Sequence, residues 1–190
     1  PTSSWKKARF KEPWYHGETL SLAIGQGYNL VTPIQMAVLI AAVANGGTLY
    51  KPRIVTSIES SQGSVVSEIA TELTGTLPIN KKNLEIIKKG LFNTVEGNRG
   101  TARRIRQKHV KIAGKTGTAQ VFSVKQGEDL ETEDLDFHLR DHAWFICYAP
   151  TDNPVIAIAV LVEHGGQGST VAAPVAAAII KQYISDSNDG

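Results

Sequence analysis

From residue 33 to residue 44 almost every position is apolar, with Ile34, Met36, Ala37, Val38, Ile40, Ala41 and Val43 leaving hardly any polar face. Thr32 is a suitable N-cap, Pro33 fits a first helical turn and Asn45-Gly46-Gly47 is a stop signal. The pattern predicts a central helix buried on nearly every side. Further on, Leu84, Ile87, Leu91 and Val95 recur at helical spacing, predicting an amphipathic helix over residues 80–95 that Gly90 weakens and Gly97 to Gly100 ends. Residues 143–149 and 155–162 are two almost continuously apolar, β-prone runs around a turn of Pro150, Asp152, Asn153 and Pro154. They predict a hairpin whose sheet is covered on both faces. Residues 171–184 supply one cover: Ala172, Ala173, Ala176, Ala177 and Ala178 permit close approach, and Pro174 falls in the first turn. Residues 185–190 are expected to fray. A peripheral hairpin is expected from residues 54–58 and 65–66 around Ser60 to Gly63.

With a short β-prone run around Lys115, the 143–162 hairpin makes at least three antiparallel strands. The predicted class is α+β, an antiparallel sheet sandwiched by helices, with residues 1–190 forming one domain or most of one. The composition agrees: 42% hydrophobic and 20% charged residues in a chain of 190 suit one core of ordinary size. A net charge of +2 gives no reason to expect a nucleic-acid or anionic-membrane partner, and no apolar run approaches a membrane span. The charged stretch from Trp5 to Lys11 is unlike a signal peptide. A lone Cys147 excludes an internal disulfide.

Several clusters invite chemistry and do not sustain it. Arg99, Arg103, Arg104, Arg106, Lys108 and Lys111 form a basic run without interleaved aromatics, which reads as a solvated face rather than a nucleic-acid site. Residues 125–141 hold seven acidic residues, Glu128 and Asp134 among them, and read as a mobile loop after the Lys115 strand, either a plain solvated loop or a lid at the mouth of a cleft. They lack the spacing of a Ca²⁺ loop. His138 and His142 are four apart but have no accompanying Cys pair, and His142 opens a predicted strand, so no metal site is expected. Gly25-Gln26-Gly27 allows unusual backbone angles and matches neither nucleotide fingerprint.

The informative motif is Ala113-Gly114-Lys115-Thr116-Gly117-Thr118-Ala119-Gln120. Its Lys115-Thr116-Gly117 triplet resembles the strand motif of penicillin-interacting serine acyltransferases. The tract Gly25-Gln26-Gly27 to Met36, with Asn45-Gly46-Gly47, Lys51-Pro52-Arg53 and Trp5 to Trp14, is similar to class B penicillin-binding proteins of the elongation type, over about residues 1–184. Gly100-Thr101-Ala102 resembles a tract preceding the triplet in that family, and a structural role is expected for it.

The resemblance implies a D,D-transpeptidase that acylates a serine with a D-Ala-D-Ala stem peptide and is acylated by β-lactams, with no cofactor. It implies that Lys115 keeps the cleft electropositive, that Thr116 and Thr118 hydroxyls bind the substrate carboxylate, that Gly117 lets substrate backbone lie along the strand, and that the Thr118 N–H is an oxyanion donor. The family's Ser-x-Asn is absent, and the Ser-x-x-Lys matches, Ser3 to Lys6 and Ser4 to Lys7, sit in a polar segment without an apolar helical run. The expectation is therefore the C-terminal part of a transpeptidase domain, with the nucleophile and the Ser-x-Asn loop upstream and no catalysis from this part alone. A D,D-carboxypeptidase or β-lactamase-type hydrolase and a non-catalytic β-lactam sensor are alternatives. The resemblance also implies a periplasmic setting on the bacterial inner membrane and a membrane glycosyltransferase partner.

Overall fold

The computed structural model describes residues 1–121 and 136–188. By internal contacts the chain falls into two compact units, Pro1–Thr32 and Pro33–Gly190.

The first unit holds α1 (Ser3–Phe10) and α2 (His16–Ala23). The helix at Ser3–Phe10 is polar, in keeping with the absence of an apolar helical run here, and local bonds take the place of apolar periodicity. Thr2 Oγ1 accepts the Trp5 N–H at 3.1 Å, and Lys11 at φ 61° ends the helix. Lys6 is only 1% exposed. Its ammonium pairs with Glu18, lies 3.5 Å from Glu12 and sits 4.1 Å above the Tyr15 ring. Glu18 also accepts the Tyr15 N–H at 2.7 Å and the Tyr28 hydroxyl at 3.3 Å. A cation taken from water needs such partners, so this knot organises the unit. Trp5 and Phe10 complete it, with ring centroids 5.3 and 5.4 Å from that of Tyr28.

The second unit runs α3 (Pro33–Ala44), β1 (Thr48–Tyr50), β2 (Ser57–Glu59), β3 (Val65–Glu68), β4 (Leu73–Thr76), α4 (Lys81–Glu96), β5 (Ala113–Ala119), β6 (His142–Ala149), β7 (Ile156–Val162) and α5 (Ala172–Asn188). The helices at 33–44 and 81–96 and the β6–β7 hairpin stand where the pattern put them. Asn80 caps α4 by accepting the Asn83 N–H at 2.8 Å. Asn45 closes α3, its Oδ1 accepting the Thr48 N–H at 2.8 Å, while Gly46 and Gly47 take φ of 93° and 110°.

Three details differ from expectation. The strand read at 54–58 is Ser57–Glu59, because Ile54 is fully exposed and makes no ladder. The pairing of β1 with β4, Thr48 opposite Thr76, was not foreseen; both strands are short and weakly patterned. The end expected to fray continues α5 to Asn188, with Ser185 Oγ donating to the Lys181 carbonyl at 2.9 Å.

The antiparallel sheet β5-β6-β7 is the centre of this unit. One face, with Ala143, Phe145 and Cys147 of β6, packs on Ala172, Ala173, Ala176 and Ile180 of α5. The other, with Tyr148 and Ala113, packs on Ile40 and Val43 of α3 and Leu84 and Leu91 of α4. The predicted sandwich is thus present, and the alternation along β6 divides the two cores. The expectation that α3 is buried all round is corrected: Ile40, Ala42, Val43 and Ala44 are buried, whereas Ile34 and Leu39 are 54% and 41% exposed. Burial pushes the Cys147 thiol up to about 12, so it is inert packing.

The Lys6–Glu18 pair makes the first unit pH-sensitive. Burial alone raises the Glu18 carboxyl, but its bonds from Lys6 and Tyr15 outweigh this and hold it below 4.5. Burial alone lowers Lys6, but Glu18 outweighs this and holds it above 10.5. The Glu18 contribution is present above 4.5 and lost as pH falls through the depressed value; the Lys6 contribution is present below 10.5 and lost as pH rises through the raised one. Hydrogen-exchange protection of the α1 amides is expected to hold at neutral pH and drop below the carboxylate range. Protection that persists at pH 2 excludes this account.

Candidate active site

Lys115, Thr116, Gly117 and Thr118 all lie on β5, the first strand in the order β5-β6-β7, which pairs on one side only among the described residues. The register sets Lys115 opposite Ile146, Thr116 opposite Phe145, Gly117 opposite Trp144 and Thr118 opposite Ala143. Alternation then directs Lys115 to the face of α3 and α4, and Thr116 with Thr118 to the opposite face. Lys115 and Thr118 are exposed, Thr116 and Gly117 half-buried. The Lys115 ammonium donates to the Thr116 carbonyl at 2.7 Å. This edge therefore offers a cation, two hydroxyls and unpaired backbone groups.

Two glycines let β5 sit where it does. A Cβ on Gly114 would lie 2.6 Å from the Phe145 ring and 2.7 Å from the Ile146 carbonyl oxygen. The loop between β7 and α5 presses on the sheet through Gly168, where a Cβ would lie 2.5 Å from the Gly117 carbonyl oxygen and closer still to that of Trp144. That loop is tied down at both ends. The Gly166 N–H donates to the Asp141 carbonyl at 2.8 Å, and the Ala173 N–H donates to the Gly168 carbonyl at 2.9 Å.

Beyond α4 the chain turns tightly through Gly100. A Cβ there would lie 2.6 Å from the Asn93 carbonyl oxygen and closer still to that of Thr94. The Ala102 N–H donates to the Thr94 carbonyl at 2.9 Å, and Ala102 is fully buried. The Arg106 guanidinium donates to the Val95 carbonyl at 2.8 Å and to the Gly97 carbonyl. Lys111 pairs with Glu96 at 3.1 Å. So the basic run is not wholly a solvated face: Arg106 and Lys111 brace the C-terminal end of α4, where carbonyls lack helical partners. The turn holds Thr101 with its hydroxyl 3.2 Å from that of Thr116. Sequence reasoning missed this contact; only the small Gly100-Thr101-Ala102 tract hinted at a fixed loop.

The other predicted features lie apart. Ser3 and Ser4 stand exposed on α1, Ser4 Oγ is 3.0 Å from Thr2 Oγ1, and Lys6 is engaged by Glu18 and Glu12, so neither pair resembles an activated nucleophile. His142 Nδ1 accepts the His164 N–H at 2.9 Å, and His138 lies in the turn Phe137–Leu139, not on a helix with His142. Most of the acidic stretch read as a lid falls outside the described residues. A cavity of about 880 Å³ between α5 and residues 104–110 has no residue of β5 in its lining, so its size does not make it the site. Gly25 and Gly27 do take left-handed angles, φ 81° and 76°.

The profile of the penicillin binding protein transpeptidase domain matches residues 3–181. The chain belongs to this family. It is 39% identical over 188 residues to the peptidoglycan D,D-transpeptidase MrdA of Haemophilus influenzae, covering 97% of this chain and 28% of the relative. With MrdA of Escherichia coli K12 it shares 36% over 172 residues, 90% of this chain and 27% of the relative. The chain thus spans somewhat over a quarter of the length of these curated relatives. Among solved structures, Pseudomonas aeruginosa PBP2 in complex with WCK 5153 superposes with a TM-score of 0.74 at 37% identity, over 96% of this chain and 36% of that one. Helicobacter pylori PBP2 in complex with MreC gives 0.73 at 31%, over 96% and 30%. The antiparallel sheet sandwiched by helices that the residues predict is thus a penicillin-binding protein fold, shared with these structures. No helix among the described residues is long and apolar enough to cross a membrane.

Gly168→Ala is expected to lose about 1–3 kcal/mol, because the added methyl must displace the loop or the Gly117–Trp144 pair. Thermal melting measures this, and an unchanged transition contradicts the contact.

Proposed function

We propose that this chain is the C-terminal part of one transpeptidase domain, and that its parent is an elongation-type peptidoglycan D,D-transpeptidase. The observation that carries the reading is a β5 edge, unpaired among the described residues, that bears Lys115, Thr116, Gly117 and Thr118 in a chain of this family.

The serine and the Ser-x-Asn element come from a preceding part of the parent. The serine oxygen attacks the carbonyl carbon of the penultimate D-Ala, the C–N bond breaks, and terminal D-Ala leaves with the proton. An amine of a neighbouring stem peptide then attacks the ester and releases the serine. A donor from β5, the Thr118 N–H, faces the tetrahedral oxyanion in this scheme. Lys115 is an exposed cation on the face that Gly117 leaves bare, suited to an anionic substrate and to proton movement beside the serine. Thr116 and Thr118 hydroxyls receive the terminal carboxylate. Backbone pairing along β5 adds the substrate as a strand. A β-lactam follows the first step only, its ring amide being the bond that breaks. The setting proposed for the parent is the periplasmic face of the inner membrane, with a membrane glycosyltransferase as partner; both rest on kinship with bacterial cell-wall enzymes.

Lys115→Ala in the full-length parent is expected to slow acylation by benzylpenicillin on the order of 10²-fold, the effect of removing one electrostatic contact from such a site. Intact-mass spectrometry over time reads the adduct. A wild-type rate, or an adduct that forms on residues 1–190 when they are supplied alone, overturns the proposal.

A further inference from the structure

Thr101 lies in a turn that nothing so far connects to chemistry, yet its hydroxyl is 3.2 Å from that of Thr116. The turn is held from three sides. Gly100 fits only because it lacks a Cβ, buried Ala102 anchors the following residue, and Arg106 ties the preceding carbonyls. A side chain presented by so constrained a backbone keeps its direction. Thr116, by contrast, sits on an edge strand, half-exposed, where its hydroxyl could rotate freely without a neighbour.

We infer that Thr101 is a positioning residue that fixes the direction of the Thr116 hydroxyl proton for recognition of a ligand carboxylate. The inference rests on the reading of β5 given under Proposed function. Its core is donor accounting. A hydroxyl has one proton and two acceptor lone pairs, whereas an ionised carboxylate can only accept. To bind a carboxylate, Thr116 must donate its single proton to it. The bond between the two threonines must then run from the Thr101 O–H to Thr116 Oγ1, and each bond in this chain polarises the next. Thr101 need not touch the ligand. It occupies the acceptor side of Thr116 and leaves the proton pointing outward before the ligand arrives, which lowers the ordering cost of binding.

The test uses the full-length parent and separates the dissociation constant before acylation from the acylation rate constant, by stopped-flow with benzylpenicillin. Thr101→Val keeps the shape and removes the donor. It is expected to weaken the pre-acylation complex about three- to tenfold, the range for one hydrogen bond, with the rate constant nearly unchanged. Thr101→Ser restores wild-type binding. Thr116→Val, which removes the donor itself, shows a loss at least as large, and the double variant Thr101→Val/Thr116→Val is no worse than Thr116→Val alone. With benzylpenicillin methyl amide, which lacks the carboxylate, Thr101→Val and wild type bind alike; a merely structural role would not distinguish the two ligands. Thr101→Ala serves in the same comparison should the valine variant not fold. Wild-type binding by the donor-less variant, or a loss that persists with the amide, overturns the inference. Should Lys115→Ala acylate at the wild-type rate, it is the reading of β5 that fails, whatever Thr101 does.

Discussion

Everything at the candidate site depends on how closely β5 is drawn onto β6. Gly114 and Gly168 each occupy a place where a single Cβ would strike a carbonyl oxygen or an aromatic ring. Close packing of this kind makes the position of Lys115 to Thr118 a property of the sheet rather than of a loop, and sheets hold side-chain directions far better than loops do. One face of β5 is thereby committed to Lys115 and Gly117, and the other to Thr116 and Thr118. The two cores on either side of β6 keep that plane from tilting.

The support around this edge is polar where the chain leaves a helix and apolar where it crosses the sheet. At the end of α4, carbonyls that no helical N–H can reach are taken by Arg106 and by the Ala102 amide. The consequence is a rigid turn beside the strand motif, with Thr101 placed against Thr116. The Gly166–Gly168 loop also lies on the Gly117–Trp144 pair and leads into α5. Strand, turn and loop converge on four residues from segments that are far apart in sequence.

The first unit uses a different solution. It has little apolar periodicity, and its organising element is a buried ammonium among Glu18, Glu12 and two tyrosine rings. Breaking such a pair by removing one partner is more damaging than its net stabilisation suggests, because the other charge is left without water or partner. The same bond uses up Lys6, and so the apparent Ser-x-x-Lys spacing carries no chemistry.

By itself the sequence determined the elements whose signal is local and strong. The apolar run of α3, the capped amphipathic α4, the twin strands of β6 and β7 and the small-residue face of α5 were legible, since each is set by periodicity and by caps within a few residues. The triplet at Lys115 pointed to a chemistry class only through its resemblance to a family motif. Only the tertiary structure decided which residues meet. The β1–β4 pairing, the burial of Lys6 and the Thr101–Thr116 contact join residues 12 to 28 positions apart, where no pattern of period 2 or 3.6 records the partner. The helix at Ser3–Phe10 follows the same logic. Its cap is local, Thr2 to Trp5, but its buried lysine is satisfied by Glu18, a bond the chain forms only once it has folded back on itself.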